Sequence, residues 1–208
     1  MTEQDKQVIL TSLEKGSAEL YAALEGVTEK QAARIPSTGG WSILQCVEHV
    51  ATVEAVLFSL IQGAQRTDEP TVSAQREAMI LARGADRTNK RESPEAVLPQ
   101  GRFATLQEAL KSFQASRART VEFIRANEED LRARVAVHPL MGPLNCHEFL
   151  LLMAVHPARH ARQIEEIMAS LDSSYSGDRE SKTTTGPSTA LAAKRAANFA
   201  QNDRITKS

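Results

Sequence analysis

Residues 155–167 read VHPARHARQIEEI, and they decide how the rest of the chain is read. His156 and His160 stand four residues apart, about one helical turn, so on a helix both imidazoles leave the same face. Phe149, Met153, Gln163, Ile164 and Ile167 fall on that face too, which makes it the inward stripe of a long helix. Asn145 and Glu148 have the spacing to cap its start, and its end is expected near Leu171. Pro157 interrupts the pattern. It brings no N–H and its ring crowds the Met153 carbonyl, so a kink or widened turn is expected. The sequence leaves open whether that bend is simply tolerated or sets how His156 faces.

Working back along the chain, Ile9, Leu13, Leu20, Leu24 and Val27 recur at helical steps and predict a helix over about 5–25. Thr28–Gln31 has the form of a capping box for a short turn that Pro36 ends. Ser42 and Gln45 form another, opening a helix to about Gly63 that is apolar nearly all round and therefore buried on more than one side. Residues 65–104 are irregular, with a short helix near 73–83 and a polar loop holding Pro94 and Pro99. Thr105 and Glu108 start a third long helix with Leu106, Leu110, Phe113, Val121 and Ile124 on one stripe. VHPLMGPLN, 137–145, reads as a rigid turn, and no segment has a persuasive β period. The expected fold is all-α: an antiparallel four-helix bundle with a long irregular connection between the second and the later long helices.

Lys and Arg total 25 against 26 Asp and Glu, which gives no basic footprint for nucleic acid. No run of about 18 apolar residues suggests a membrane span, and MTEQDKQVIL has no basic segment followed by an apolar run, so no signal peptide is expected. Two cysteines, Cys46 and Cys146, suit a reducing compartment, so a cytoplasmic protein is expected. Residues 172–189 hold five Ser, four Thr and two Gly, a composition that cannot build a core and is expected to be disordered. Domain organisation then reads as a bundle over 1–171 and a tail over 172–208.

Two histidines on an apolar stripe must both be desolvated, and each neutral ring needs partners for its nitrogens, which a metal ion supplies. A third ligand is suggested by His49, which sits on the nearly wholly apolar second helix among Cys46, Val50, Val53 and Val56. His138, in a Pro-containing turn, and His147, off the stripe, are expected to face solvent or fix turns.

GGWSILQCVEHVATVE (39–54), SPEAVLPQGRFATLQEAL (93–110) and HPLMGPLNCHEFLLLMAVHPARHARQIEEI (138–167) resemble the DinB-like/YfiT-like superfamily, known as metal-dependent hydrolases. The resemblance runs over about residues 5–171. It implies a four-helix bundle carrying three histidines around a divalent metal, one from the second helix and two from the last, here His49, His156 and His160. It also brings in thiol-dependent S-transferases and isomerases that use low-molecular-weight thiols. By ligand type the metal is expected to be Zn or Ni.

Three histidines leave a tetrahedral ion one open position, as in catalytic zinc sites. Around the triad, Glu54 is a candidate base or else a surface carboxylate, and Arg117 holds an anionic substrate or, the favoured reading, snorkels at the bundle edge. Cys46, one turn before His49, is read as an inert buried thiol rather than a fourth ligand. The expected activity is a metal-dependent transferase or hydrolase of a small molecule. The alternatives are a non-catalytic metal- or ligand-binding stress-response protein and a metal-free interaction protein. The expected partner is a small molecule, with a low-molecular-weight thiol and a homodimer both left open.

Overall fold

The computed structural model describes residues 1–37, 39–69, 73–88 and 92–177. Four long helices dominate: α1 (Glu3–Leu24), α3 (Ile43–Gln62), α5 (Leu106–Ala126) and α6 (Cys146–Gly177), with short α2 (Glu29–Ala32) and α4 (Ala74–Arg83) between them. Helix starts follow local chemistry. Thr2, Thr28 and Ser42 each accept from the backbone N–H three residues on, while Asp5, Gln31 and Gln45 reach back to the cap. At α6 the exchange is between Asn145 and Glu148, with Asn145 Oδ1 accepting at 2.9 Å and Glu148 Oε2 at 3.1 Å. Thr105 accepts from Glu108, whose own carboxylate caps the Ala104 N–H instead.

The core has two apolar clusters. One joins Ile9 and Leu13 of α1 to Leu57 and Ile61 of α3, Ile124 of α5 and residues 149–151 of α6. The other joins Leu20 and Leu24 to Ile43–Ala51, Leu106–Phe113 and Ile164–Leu171. The N-terminal halves of α1 and α6 thus lie with the C-terminal halves of α3 and α5. So α1 and α6 run one way, α3 and α5 the other. Two parallel neighbours cannot be joined by a short loop, so residues 63–105 must return along the length of the bundle. That geometry accounts for the long irregular connection. Between the clusters each helix contributes polar groups: Ser17, Glu54, Arg117 with Thr120, and His160, all buried.

The structure departs from the expected fold in three respects. A small antiparallel sheet, order β1-β2-β3, is built from β1 (Gln65–Arg66), β2 (Arg134–His138) and β3 (Gly142–Asn145). What reads as a rigid turn is a β-hairpin in which His138 pairs with Gly142, whose φ of 71° suits glycine. Strands this short carry little periodic signal, and β1 is defined only by pairing far along the chain, Gln65 with Val135 and Arg66 with Arg134. Secondly, α3 is long and apolar enough to cross a membrane by composition. Its middle carries buried Glu48, His49 and Glu54, and half of the apolar window is packed inside the bundle. Thirdly, α6 spans Pro157 as expected but runs past Leu171 to Gly177, and residues 178–208 of the expected tail lie outside the described residues.

Candidate metal centre

His49 lies two turns into α3, fixed in rotation by the Ser42 cap and the apolar faces of Val47 and Val50. His156 and His160 follow the inward stripe of α6. The structure brings the three rings together: one ligand nitrogen from each lies within 4.8 Å of the others, and His156 Nε2 is 3.1 Å from His160 Nε2. His49 and His160 are buried, and His156 is half-buried. Trp41, just before the cap, covers the cluster with its ring 4.8 Å from that of His49 and stacked at 15° on His160.

Burial sets the charge state. Desolvation lowers the pKa of all three imidazoles, and for His156 and His160 repulsion from the neighbouring rings lowers it well below the usual value. Against this, the Val97 carbonyl raises the His49 value only in part. Neutral rings are the form that binds metal. His49 Nδ1 lies 2.8 Å from the Val97 carbonyl, which can only accept, so Nδ1 carries the proton and Nε2 the lone pair. His160 Nδ1 lies 3.0 Å from Gln163 Oε1.

The donor set fits a metal ion. Bonds of about 2.0–2.1 Å at tetrahedral angles put ligand nitrogens about 3.3 Å apart, close to the His156–His160 spacing. Without a cation, one of those two Nε2 atoms must carry a proton for the contact to be attractive.

The His49 carbonyl partner is held by the preceding residue. Glu48, 1% exposed, accepts the backbone N–H groups of Gln100, Gly101 and Arg102 at 2.7–3.2 Å, and Arg102 Nη1 at 3.0 Å. Burial alone would raise its pKa, but those donors outweigh burial and hold it below the usual carboxylate value. The turn that Glu48 grips follows the 3-10 segment Glu95–Val97, so α3 clamps with one side chain the strand of backbone that orients the next.

Four sequence expectations are corrected or narrowed. Glu54 is neither surface-exposed nor a free base: it is 2% exposed, paired with Arg117 Nη2 at 2.9 Å, and accepts from Thr120 at 3.2 Å. Burial raises its pKa, with Arg117 opposing. Arg117 does not snorkel; it is buried across the bundle, where its two Nη atoms donate to Glu54 and to the carbonyls of Leu13 and Met153, while Nε meets no hydrogen-bond partner among the described residues. His147 is buried rather than solvent-facing, accepting from Arg132 at 3.2 Å with its Nδ1 3.2 Å from Glu77. Cys46 sits in an apolar cluster outside the histidine group, its thiol pushed up to about 12 by burial. His138 does fix a turn, accepting from the Leu140 N–H.

Sequence reasoning missed Glu48, Val97 and Arg87, whose Nη1 donates to Gln163 Oε1 at 3.0 Å. An acid on an apolar helix is a signal for Glu48, whereas nothing local marks the loop residues.

The profile of the DinB superfamily matches residues 12–164, so the chain belongs to that superfamily. It is 22% identical over 154 residues to the protein YuaE of Bacillus subtilis, covering 74% of this chain and 93% of that one. Its fold is similar to the solved structure of Bacillus subtilis YfiT, with a TM-score of 0.54 and 20% identity over 83% of this chain and 90% of that one. That structure is described as a probable metal-dependent hydrolase with an unusual four-helix bundle topology.

Proposed function

We propose that this member of the DinB superfamily is a metal-dependent enzyme, a hydrolase or transferase acting on a small molecule, with a divalent ion held by His49, His156 and His160. The observation that carries the reading is the convergence of three imidazoles kept neutral by burial, two of them with Nδ1 facing a hydrogen-bonding partner. Nitrogen-only ligation suits Zn or Ni. Bound there, such an ion would keep an open position and supply Lewis acidity, lowering the pKa of a water or thiol placed in it.

The remaining roles fall to the chain. Val97 and Gln163 orient two of the rings, and Trp41 shields the cluster from water. Among the described residues no carboxylate or thiol joins the three histidines, and Glu54 is committed to Arg117 and Thr120. A nucleophile that brings its own acidic proton suits such a site, which supports transfer from a low-molecular-weight thiol. The same lack of an acid–base side chain favours the second reading, a non-catalytic metal- or ligand-binding protein.

Elemental analysis of pure protein tests the site: about one divalent ion per chain is expected, with most of it lost in His156→Ala and His160→Ala. Full loading of both variants would refute the assignment. Assays of the loaded protein with several small thiols and electrophiles then separate enzyme from binding protein. Turnover supports the first reading, and metal without turnover the second.

A further inference from the structure

The outer side of His160 carries information that the metal site needs. Its Nδ1 lies 3.0 Å from Gln163 Oε1, but a carboxamide has a donor end and an acceptor end of similar shape. If the amine end faced the ring, Nδ1 would have to accept, and the proton would move to Nε2, the nitrogen that faces the cluster.

Arg87 removes the choice. Its Nη1 lies 3.0 Å from the same Oε1, and a guanidinium only donates, so the atom it meets is the oxygen. Arg87 is itself fixed by a two-point pair, Nε to Glu166 Oε1 at 3.0 Å and Nη2 to Glu166 Oε2 at 2.9 Å. Glu166 lies three residues beyond Gln163 on α6, so the guanidinium bridges two neighbouring side chains of the helix that bears His160. Close packing holds the connection to α4 in place: a Cβ on Gly84 would overlap the Val155 side chain, next to His156.

We propose that Arg87 and Gln163 are positioning residues of the three-histidine site, the guanidinium orienting the carboxamide and the carboxamide fixing His160 as its Nδ1–H tautomer. Nε2 is thereby presented to a divalent cation with its lone pair free. His49 reaches the same tautomer through a backbone carbonyl, which no substitution of its own side chain can change. For His160 the selection is made by side chains, 76 residues apart in sequence, and can be edited. The inference deepens the metal-site reading and rests on it for the role of Nε2.

Long-range proton–nitrogen NMR of metal-free, 15N-labelled protein reads the tautomer, and competition against a chromophoric chelator reads zinc affinity. Wild type should show His160 protonated on Nδ1. Gln163→Leu, with no acceptor, should populate both tautomers and weaken zinc binding about 10- to 100-fold, the range for lost outer partners of ligating histidines. Gln163→Glu keeps an oxygen acceptor and should retain the wild-type tautomer, with zinc affinity within about threefold. Arg87→Met frees the amide to turn and should mix the tautomers, leaving only the half-exposed Glu166 carboxylate without this partner. An unchanged tautomer and unchanged zinc affinity in both Gln163→Leu and Arg87→Met would overturn the proposal. If wild type took up no zinc while Arg87→Met still mixed the tautomers, the metal reading would fail and the tautomer selection would stand.

Discussion

Arg117 takes up the hydrogen bond that Pro157 removes. In a regular helix the Met153 carbonyl would accept from the N–H of residue 157, which proline lacks. Arg117 Nη2 reaches across from α5 and donates to that carbonyl at 2.8 Å. The same nitrogen donates to Glu54 Oε2 at 2.9 Å, and Nη1 donates to the Leu13 carbonyl at 3.2 Å, so the guanidinium ties α1, α3 and α6 to α5. On the other side, α1 approaches α6 closely at Gly16, where a Cβ would overlap the Ala154 carbonyl oxygen. The turn carrying His156 is thus held from two directions.

A double-mutant cycle tests that link. Arg117→Met should cost about 3 kcal/mol, because it leaves Glu54 buried without its cation. Pro157→Ala restores an N–H to the Met153 carbonyl. In that background the cost of Arg117→Met should shrink by about 1 kcal/mol, the net worth of one hydrogen bond. Urea unfolding measures both, and equal costs in the two backgrounds would break the link.

Stability of the metal-free protein should depend on pH below neutrality. The folded pKa values of His49, His156 and His160 are lowered, so the unfolded chain binds protons first as pH falls below about 6.5. Stability is then full above that value and declines below it, by about 1.4 kcal/mol per pH unit for each ring that stays neutral. Chemical denaturation at pH 7.5 and 5.5 reads the loss. Replacing His156 and His160 together by Asn should flatten the slope, and an unchanged slope would show that these rings do not cause it.

Glu48→Gln removes the charge that gathers three backbone N–H groups while keeping the shape. A loss of about 2 kcal/mol is expected, as for a buried acceptor of charge-assisted bonds. Because that turn directly follows the segment that carries Val97, zinc affinity should fall as well. A variant as stable as wild type and with wild-type zinc affinity would show that the turn holds itself.

Cobalt substitution reads whether Cys46 belongs to the coordination sphere. With three nitrogens as the only protein ligands, the cobalt protein should lack thiolate charge-transfer absorption until an external thiol is added. Cys46→Ser should leave the spectrum unchanged. Intense absorption before thiol addition, abolished by that substitution, would place the sulfur on the metal and close the open position.

The chain beyond Gly177 should add nothing to bundle stability, given the Ser, Thr and Gly content after residue 172. A truncated protein ending at Gly177 should melt within a few degrees of full length, and a drop of about 10 °C would refute this.

The helices and the three histidines were legible because their signals are local. A cap and its partner lie three residues apart, and a stripe repeats every three or four, so Ser42 with Gln45 and His156 with His160 declare themselves within one turn. By itself the sequence therefore determined the four long helices, their inward stripes and the place of His49, His156 and His160 on them. Only the tertiary structure decided the parallel course of α3 and α5, the β-hairpin, and the roles of Glu54, Arg117 and His147. A carboxylate on an apolar helix reads alike whether it meets solvent or a buried arginine, since the cost of burying the charge is settled by its partner. That partner lies 63 residues away for Glu54 and 36 for the Met153 carbonyl, both on Arg117, and no period in the sequence spans such distances.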